Sequence, residues 1–259
     1  MATRLLDRLK SGGCEGCPHY VDPSKADLSN GDHIVALSGN PNTGKSSIFN
    51  ALTGLRQHVG NWPGKTVTRA EGGFASGGKR YKLVDLPGTY SLLSASVEEE
   101  IARDFLLFGN PDAVITVMDA TAIERNLNLG LQILEITDRV VIALNLMDEA
   151  RRHGIEVDHR GLAKALGVPV IPTVARTREG LDDLVQAVSD VIDGKIRNSP
   201  RRIPLDPDLE SAVGELIPAI RQAFPGLKAH RWIALRLLDG DPTVRRAVES
   251  GEPIGVGRG

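Results

Sequence analysis

Apolar positions in this chain gather into short, nearly unbroken runs rather than strict alternation. Ile34-Val35-Ala36-Leu37 leads into a glycine-rich turn, and Lys45 to Leu52 then carries helical spacing, which predicts strand, loop and helix. Ala113 to Met118, Arg139 to Leu144 and Val168 to Ile171 are further runs separated by helical stretches. Such runs suit strands buried on both faces of a parallel sheet with helices on either side.

Val67 to Ala75 shows partial alternation, and the turn Ser76-Gly77-Gly78-Lys79 leads to Tyr81-Lys82-Leu83-Val84-Asp85, which predicts an antiparallel hairpin. Asp158 opens a helix over Arg160 to Leu166 that Gly167 stops, and Gly180 precedes another over Leu181 to Ile192. The sheet domain is expected to close near residue 197. Asn198 to Arg202 reads as a linker, with amphipathic helices over Leu209 to Phe224 and Arg231 to Leu238 beyond it. Residues 1–31 are punctuated by Gly and Pro and read as a short helix followed by linker, while Gly251 to Gly259 reads as a loose tail. The expected division is an extension over 1–31, a sheet domain over 32–197 and a helical domain over 198–259.

Composition narrows the class. With 31 basic and 33 acidic side chains the net charge is −2, so no global field draws in nucleic acid or anionic lipid. The apolar runs fall far short of the roughly 20 residues that span a bilayer. The charged N-terminus lacks a secretory signal, so a cytosolic location is expected. The only two cysteines, Cys14 and Cys17, are not a disulfide framework.

Gly39-Asn40-Pro41-Asn42-Thr43-Gly44-Lys45-Ser46 fits G-x-x-x-x-G-K-[ST] between a predicted strand and a predicted helix. Glycines let backbone N–H groups wrap phosphate, and the helix that follows, with Ser47 in its first turn, adds its positive end. Lys45 supplies charge to the β and γ phosphates, and the Ser46 hydroxyl suits Mg²⁺, which takes hard oxygen ligands. Asp85-Leu86-Pro87-Gly88 then reads as D-x-x-G, with Asp85 near the metal's water shell and the Gly88 N–H facing the γ-phosphate. The polar segment His58 to Val67 is expected to be a mobile loop, and its Thr66 hydroxyl would complete the Mg²⁺ shell while a γ-phosphate is present.

Asn145-Leu146-Met147-Asp148 follows a buried strand at the sheet edge where α/β folds bind ligands. Asp148 would accept from guanine N1–H and N2, a donor pair that adenine lacks. A buried carboxylate left unpaired costs about 1.5–3 kcal/mol, which favours GTP and GDP over adenine nucleotides. Leu146 stands where N-K-x-D motifs carry lysine, which removes one contact near the base. After the last strand, Val174, Ala175 and Arg176 are placed for backbone contact with guanine O6; a plain strand-to-helix loop is the other reading. The motifs together predict a Ras-like P-loop GTPase fold, a mostly parallel α/β sheet with helices on both faces and a small C-terminal helical domain.

These residues, with Val59-Gly60-Asn61-Trp62-Pro63-Gly64-Lys65-Thr66-Val67 and Asp85-Leu86-Pro87-Gly88-Thr89-Tyr90-Ser91-Leu92, resemble the G domain of ferrous iron transport protein B, FeoB, over roughly residues 33–195. The resemblance implies a membrane permease later in the same polypeptide, a place at the cytoplasmic face of the bacterial membrane, Fe(II) uptake as the process served and a helical appendage that slows GDP release. A homo-oligomer is consistent with it. Thr89 stands where many small GTPases carry a water-orienting glutamine, so slow intrinsic turnover is expected. The resemblance further implies activation by K⁺, held partly by Asn42.

Cys14, Cys17 and His19 place three soft ligands within six residues, which reads either as part of a metal site or as unliganded linker. His58 is a loop histidine, and Lys79-Arg80 and Arg151-Arg152 read as solvated charges. Two competing functions are a GTPase assisting ribosome assembly and a nucleotide-binding regulatory module without useful turnover. The first usually carries a basic RNA-binding terminus, which this sequence lacks.

Overall fold

The computed structural model describes residues 33–54, 57–63, 65–93, 96–224 and 227–245. The expectations for 1–31, including Cys14, Cys17 and His19, and for the tail lie outside these residues. The chain divides between Arg201 and Arg202 into two compact units.

The first unit is built on a seven-stranded sheet in the order β2-β3-β4-β1-β5-β6-β7. In chain order its elements are β1 (His33–Gly39), α1 (Lys45–Thr53), β2 (Gln57–Asn61), β3 (Thr68–Ser76), β4 (Lys79–Asp85) and α2 (Val97–Phe108). There follow β5 (Ala113–Asp119), α3 (Ile123–Ile136), β6 (Val140–Asn145), α4 (Met147–Arg152), α5 (His159–Leu166), β7 (Val170–Pro172) and α6 (Leu181–Ile192). The strands β4, β1, β5, β6 and β7 run parallel, while β3 is antiparallel to both β2 and β4. Strand order reverses at β1, which lies between β4 and β5. A switch point of this kind opens a crevice at the carboxyl ends of the strands.

The uniform apolar runs are explained by burial on both faces. Val35, Leu37, Ile115, Val117, Val141 and Ala143 pack with Ile48 and Phe49 of α1 and with Leu184 and Val188 of α6. The alternate residues Ala36, Val114, Met118, Ile142 and Leu144 are equally buried and serve the opposite face. There α3 comes so close that a Cβ on Gly130 would lie 2.3 Å from the Met118 methyl.

Local signals set several boundaries. Gly77 (φ 56°) and Gly78 (φ 76°) take the positive-φ pair that a tight hairpin requires between β3 and β4. The Ser96 hydroxyl caps α2 by accepting from Glu99 N at 3.2 Å, and Asp158 caps α5 by accepting from Gly161 N at 2.8 Å. β7 is shorter than expected because Pro169, which has no N–H to donate, precedes it, although its carbonyl accepts from Ile142 N at 2.9 Å.

The segment expected to be a loop departs most from the sequence reading. Gln57–Asn61 forms the edge strand β2, paired with Thr68–Gly72 of β3, and only the residues between them form a turn. That turn is closed by Trp62 N donating to Val67 O and by Lys65 N donating to Trp62 O. Edge pairing uses main-chain groups, so a polar strand can form with Val59 left 68% exposed. Trp62 is buried, edge-on to Phe105 of α2 with ring centroids 5.6 Å apart, and the Arg69 guanidinium lies over its ring. Lys65 Nζ meets Glu100 Oε2 of α2 at 2.8 Å.

Charges read as simply solvated have partners. Lys79 pairs with Asp193 at the end of α6, Arg151 with Glu179 at 2.6 Å and Arg152 with Glu149 at 2.9 Å. The stretch read as linker is bonded to the first unit as far as Arg201: Asn198 donates to Asp138 O and Val140 O, Ser199 N to Gly167 O and Arg201 N to Leu166 O.

The second unit contains α7 (Pro207–Ala223) and α8 (His230–Leu238). Asp206 caps α7 by accepting from Asp208 N, and Pro207 occupies the first turn, where no intrahelical donor is needed. Val213, Leu216 and Ile220 of α7 and Trp232, Ile233 and Leu237 of α8 are buried, and Arg231 meets Glu210 Oε2 at 2.9 Å. Among the described residues no helix is long and apolar enough to cross a membrane.

Gly167 ends α5 at φ 73°, and a Cβ there would lie 1.9 Å from Ser199 O. Left-handed backbone alone costs a residue with a Cβ about 1–2 kcal/mol, and the backbone clash adds to it. Gly167→Ala is therefore expected to lower urea-unfolding stability by more than that amount; a variant as stable as the parent would show that the 198–201 strap is not held against α5.

Candidate functional site

The site forms where β1, β4 and β6 end on one edge of the sheet. β1 leads into Asn40 to Gly44 before α1 begins. Gly39 passes so near β5 that a Cβ would lie 2.8 Å from Val117 O. Asn40 is buried, and its Nδ2 donates to Arg125 O of α3 at 3.2 Å. The Thr43 hydroxyl donates to Asn40 O at 2.9 Å, drawing the turn tight. Asn42 takes φ 66°, a conformation asparagine tolerates better than most residues, and it is exposed at the crest of the turn. Gly44 takes φ 80°, and a Cβ there would lie 2.3 Å from Asn145 Nδ2.

Asn145, 1% exposed at the end of β6, joins three segments. Its Nδ2 donates to Thr43 O at 3.0 Å, while its Oδ1 accepts from Ala175 N at 3.1 Å and from the Thr173 hydroxyl at 3.3 Å. The turn after β1 and the loop after β7 are thereby fixed to one carboxamide. Leu146 follows at φ 63°, and its Cδ2 would be 3.9 Å from a Cβ on Gly44, so the leucine packs beside the turn.

Asp85 ends β4, where Lys45 Nζ meets its Oδ1 at 2.5 Å. Burial pushes the Asp85 carboxyl above its ordinary range, and the charge and hydrogen bond of Lys45 pull back against that rise. Beyond it, Leu86 N donates to Leu37 O at 2.9 Å and Thr89 N to Gly39 O at 3.4 Å. Gly88 lies against the turn, where a Cβ would be 3.4 Å from Pro41 N.

Asp148 sits in the first turn of α4, with Oδ2 3.2 Å from Arg176 Nη2. Desolvation raises its pKa, but the Arg176 hydrogen bond, the N–H groups of Glu149 and Asp148 and the Arg176 charge together hold it below the usual carboxylate range. Val174 is buried and bridges to Glu179, and Arg178, at φ 67°, donates to Ala51 O near the end of α1.

The structure thus gathers Gly39 to Lys45, Asp85, Gly88, Asn145, Asp148 and Val174 to Arg176 around one edge. Ser46 and Ser47 are exposed in the first turn of α1. Thr66 is exposed on the turn between β2 and β3, where Lys65 ties to Glu100 of α2. Thr173, Arg178 and the Asn40–Arg125 link escaped the sequence reading. Thr173 lies next to the segment singled out, but the other contacts join residues 85 to 127 positions apart and leave no local pattern.

A β1–turn–α1 phosphate cradle, a D-x-x-G segment docked on it and an Asn-x-x-Asp segment at the next strand end define a P-loop GTPase G domain. A family model for ferrous iron transport protein B matches residues 33–188, and one for the FeoB cytosolic helical domain matches residues 206–255. The chain belongs to the FeoB family. The Fe(2+) transporter FeoB of Salmonella choleraesuis is 41% identical over 215 residues, covering 80% of this chain and 27% of that protein. The chain therefore spans about a quarter of the length of that relative. The cytosolic domain of T. maritima FeoB in a GDP form superposes with a TM-score of 0.74 at 38% identity, covering 84% of each chain. The cytosolic domain of L. pneumophila FeoB gives 0.75 at 35% identity, covering 84% of this chain and 86% of that one.

Truncating Asn145 would leave the Ala175 N–H and the Thr43 carbonyl without a buried partner. Asn145→Ala is expected to lower urea-unfolding stability by about 1–3 kcal/mol, the cost of stranding such groups. No loss would mean that the two loops hold their positions without the carboxamide.

Proposed function

We propose that this chain binds GTP and GDP and hydrolyses GTP, and that it serves as the cytoplasmic G domain of an Fe(II) transporter whose permease lies elsewhere in the same polypeptide. The carrying observation is that Asn145 ties the phosphate-cradle turn to the loop at Ala175, so that both can address one nucleotide. The named relatives are Fe(2+) transporters, and the T. maritima cytosolic domain has a GDP form, which supports the reading.

In this reading the backbone N–H groups along Gly39 to Ser47, Pro41 having none, cradle the phosphates, and Lys45 turns part of its charge from Asp85 toward the β and γ phosphates. The Gly88 N–H meets the γ-phosphate. Asp148 accepts from guanine, with Val174, Ala175 and Arg176 lining the base and the Ala175 N–H toward O6. Both Asp148 oxygens face the guanine donor pair, and Arg176 steadies the carboxylate through a further hydrogen bond to Oδ2.

The donor set suits magnesium. The Ser46 hydroxyl is exposed at the start of α1, and the Asp85 carboxylate is gathered to the same turn by Lys45. Both are hard oxygens, as Mg²⁺ requires. Ser46 would ligate directly, Asp85 through water, and Thr66 when the β2–β3 turn closes over the γ-phosphate. The metal supplies charge neutralisation across the β and γ phosphates. K⁺ suits the exposed carboxamide oxygen of Asn42 beside the same phosphates and would supply the positive charge that an arginine finger provides elsewhere.

Thr89 offers no carboxamide to orient water, so the unaided rate is slow. GTP hydrolysis then regulates or powers iron passage at the cytoplasmic face of the membrane, with the second unit slowing GDP release and a homo-oligomer as a compatible assembly. Nucleic acid is not a partner in this reading, and the FeoB family match disfavours ribosome assembly. A regulatory module without turnover would bind guanine nucleotide yet release no phosphate above background in a single-turnover assay.

Two measurements test the assignment. Asp148→Asn is expected to shift preference from guanine toward xanthine nucleotides, because the amide donates to the extra carbonyl; a variant that retains guanine selectivity would place base recognition elsewhere. Phosphate release with Mg²⁺ present is expected to be faster in KCl than in NaCl of equal concentration, and equal rates would remove the Asn42 role.

A further inference from the structure

After Gly88 the chain runs through Thr89, Tyr90, Ser91, Leu92 and Leu93 before Ser96 opens α2, and beyond Thr89, whose N–H donates to Gly39 O, no main-chain partner from a regular element meets the described residues 90–93. Two amide side chains of α3 do so instead. Leu92 N donates to Gln132 Oε1 at 2.7 Å, and Asn128 Nδ2 donates to Tyr90 O at 3.2 Å. Gln132 Nε2 donates to Asn128 Oδ1 at 3.2 Å, which is the pairing expected of residues one helical turn apart. The Ser91 hydroxyl donates to Gln132 Oε1 at 3.4 Å and accepts from Leu93 N at 3.1 Å. Each carboxamide is used at both ends, so neither can flip without losing partners on both sides.

The helix that carries this pair is itself tied to the phosphate cradle. Arg125 O, in the first turn of α3, accepts from Asn40 Nδ2, and Leu129 and Ile133 are buried beneath the same helix. Leu92 is buried, whereas Tyr90, Leu93 and Val97 remain 49%, 46% and 43% exposed, so much of the segment's flank has no apolar seat. The direct link from segment to cradle, Thr89 N to Gly39 O, is long at 3.4 Å.

We propose that Gln132, steadied by Asn128, is a positioning residue that latches the Tyr90–Leu92 segment and thereby sets Gly88 beside Pro41 for a third phosphate. This rests on the nucleotide reading above. A diphosphate ends short of Gly88, so the latch favours triphosphate binding and leaves diphosphate binding alone.

The test uses the full 259-residue chain and fluorescent GDP beside a fluorescent, non-hydrolysable GTP analogue. Gln132→Ala is expected to weaken the triphosphate analogue about five- to tenfold, the scale of one lost hydrogen bond, with GDP affinity unchanged. Gln132→Met, which fills the same space without the amide's hydrogen bonds, is expected to match Gln132→Ala. An unchanged triphosphate-to-diphosphate ratio in both Gln132→Ala and Gln132→Met, or equal weakening of both ligands, would overturn the latch. Failure of the parent chain to bind either guanine nucleotide would instead overturn the nucleotide reading, and the latch with it.

Discussion

The carboxamide of Asn145 is the interaction on which the site's geometry depends. It sits at the end of the buried strand β6, so sheet packing fixes its position, and it spends both ends of its side chain on backbone groups of two separate loops. Buried amides are costly when unmatched, so the turn over Gly39 to Ser46 and the loop over Val174 to Arg176 are held by the same penalty that protects the core. Gly44 completes the arrangement, because only a residue without a Cβ can pass the Asn145 Nδ2 at that distance.

A second tier of constraint runs through α2 and α3 and the segments seated on them. The β2–β3 turn is seated on α2 through Trp62 on Phe105 and Lys65 on Glu100, while the segment after Gly88 is seated on α3. Arg69 and Lys82 meet Glu71 within the β3–β4 sheet, all nearly buried. Removing one member of such a group strands the others, so these charges resist piecemeal change even where the pair adds little net stability. Asp104 of α2, pressed against the buried Arg103, has its carboxyl pushed up to about 7, with desolvation the leading cause. Protons are therefore held more tightly in the folded chain than in the unfolded one between the ordinary aspartate range and neutrality, and this residue's contribution to stability falls as pH rises through that window.

Much of the architecture was legible because parallel strands buried on both faces write themselves as uniform apolar runs, and the positions of Lys45, Asp85 and Asn145 follow from strand ends. The strand β2 was not legible: its residues carry no apolar period, and it exists through main-chain pairing with β3, which side-chain pattern cannot report. The tie of Asn198 to Asp138 and Val140 likewise joins residues far apart in sequence, so a polar, proline-containing stretch resembled a linker. Gln132 and Asn128 looked like ordinary polar positions on an amphipathic helix; what distinguishes them is the neighbouring irregular backbone, which only the fold supplies.

Burial of Trp62 has an optical consequence. The chain holds two tryptophans, Trp62 in the first unit and Trp232 in the second, each buried and each in a distinct setting. Trp62 lies under a guanidinium and edge-on to a phenyl ring at the base of the β2–β3 turn, so its emission senses the seating of that turn, while Trp232 reports the helical pair α7–α8. With either indole replaced, the remaining one becomes an intrinsic spectroscopic label for its own half of the molecule, and no dye needs to be attached.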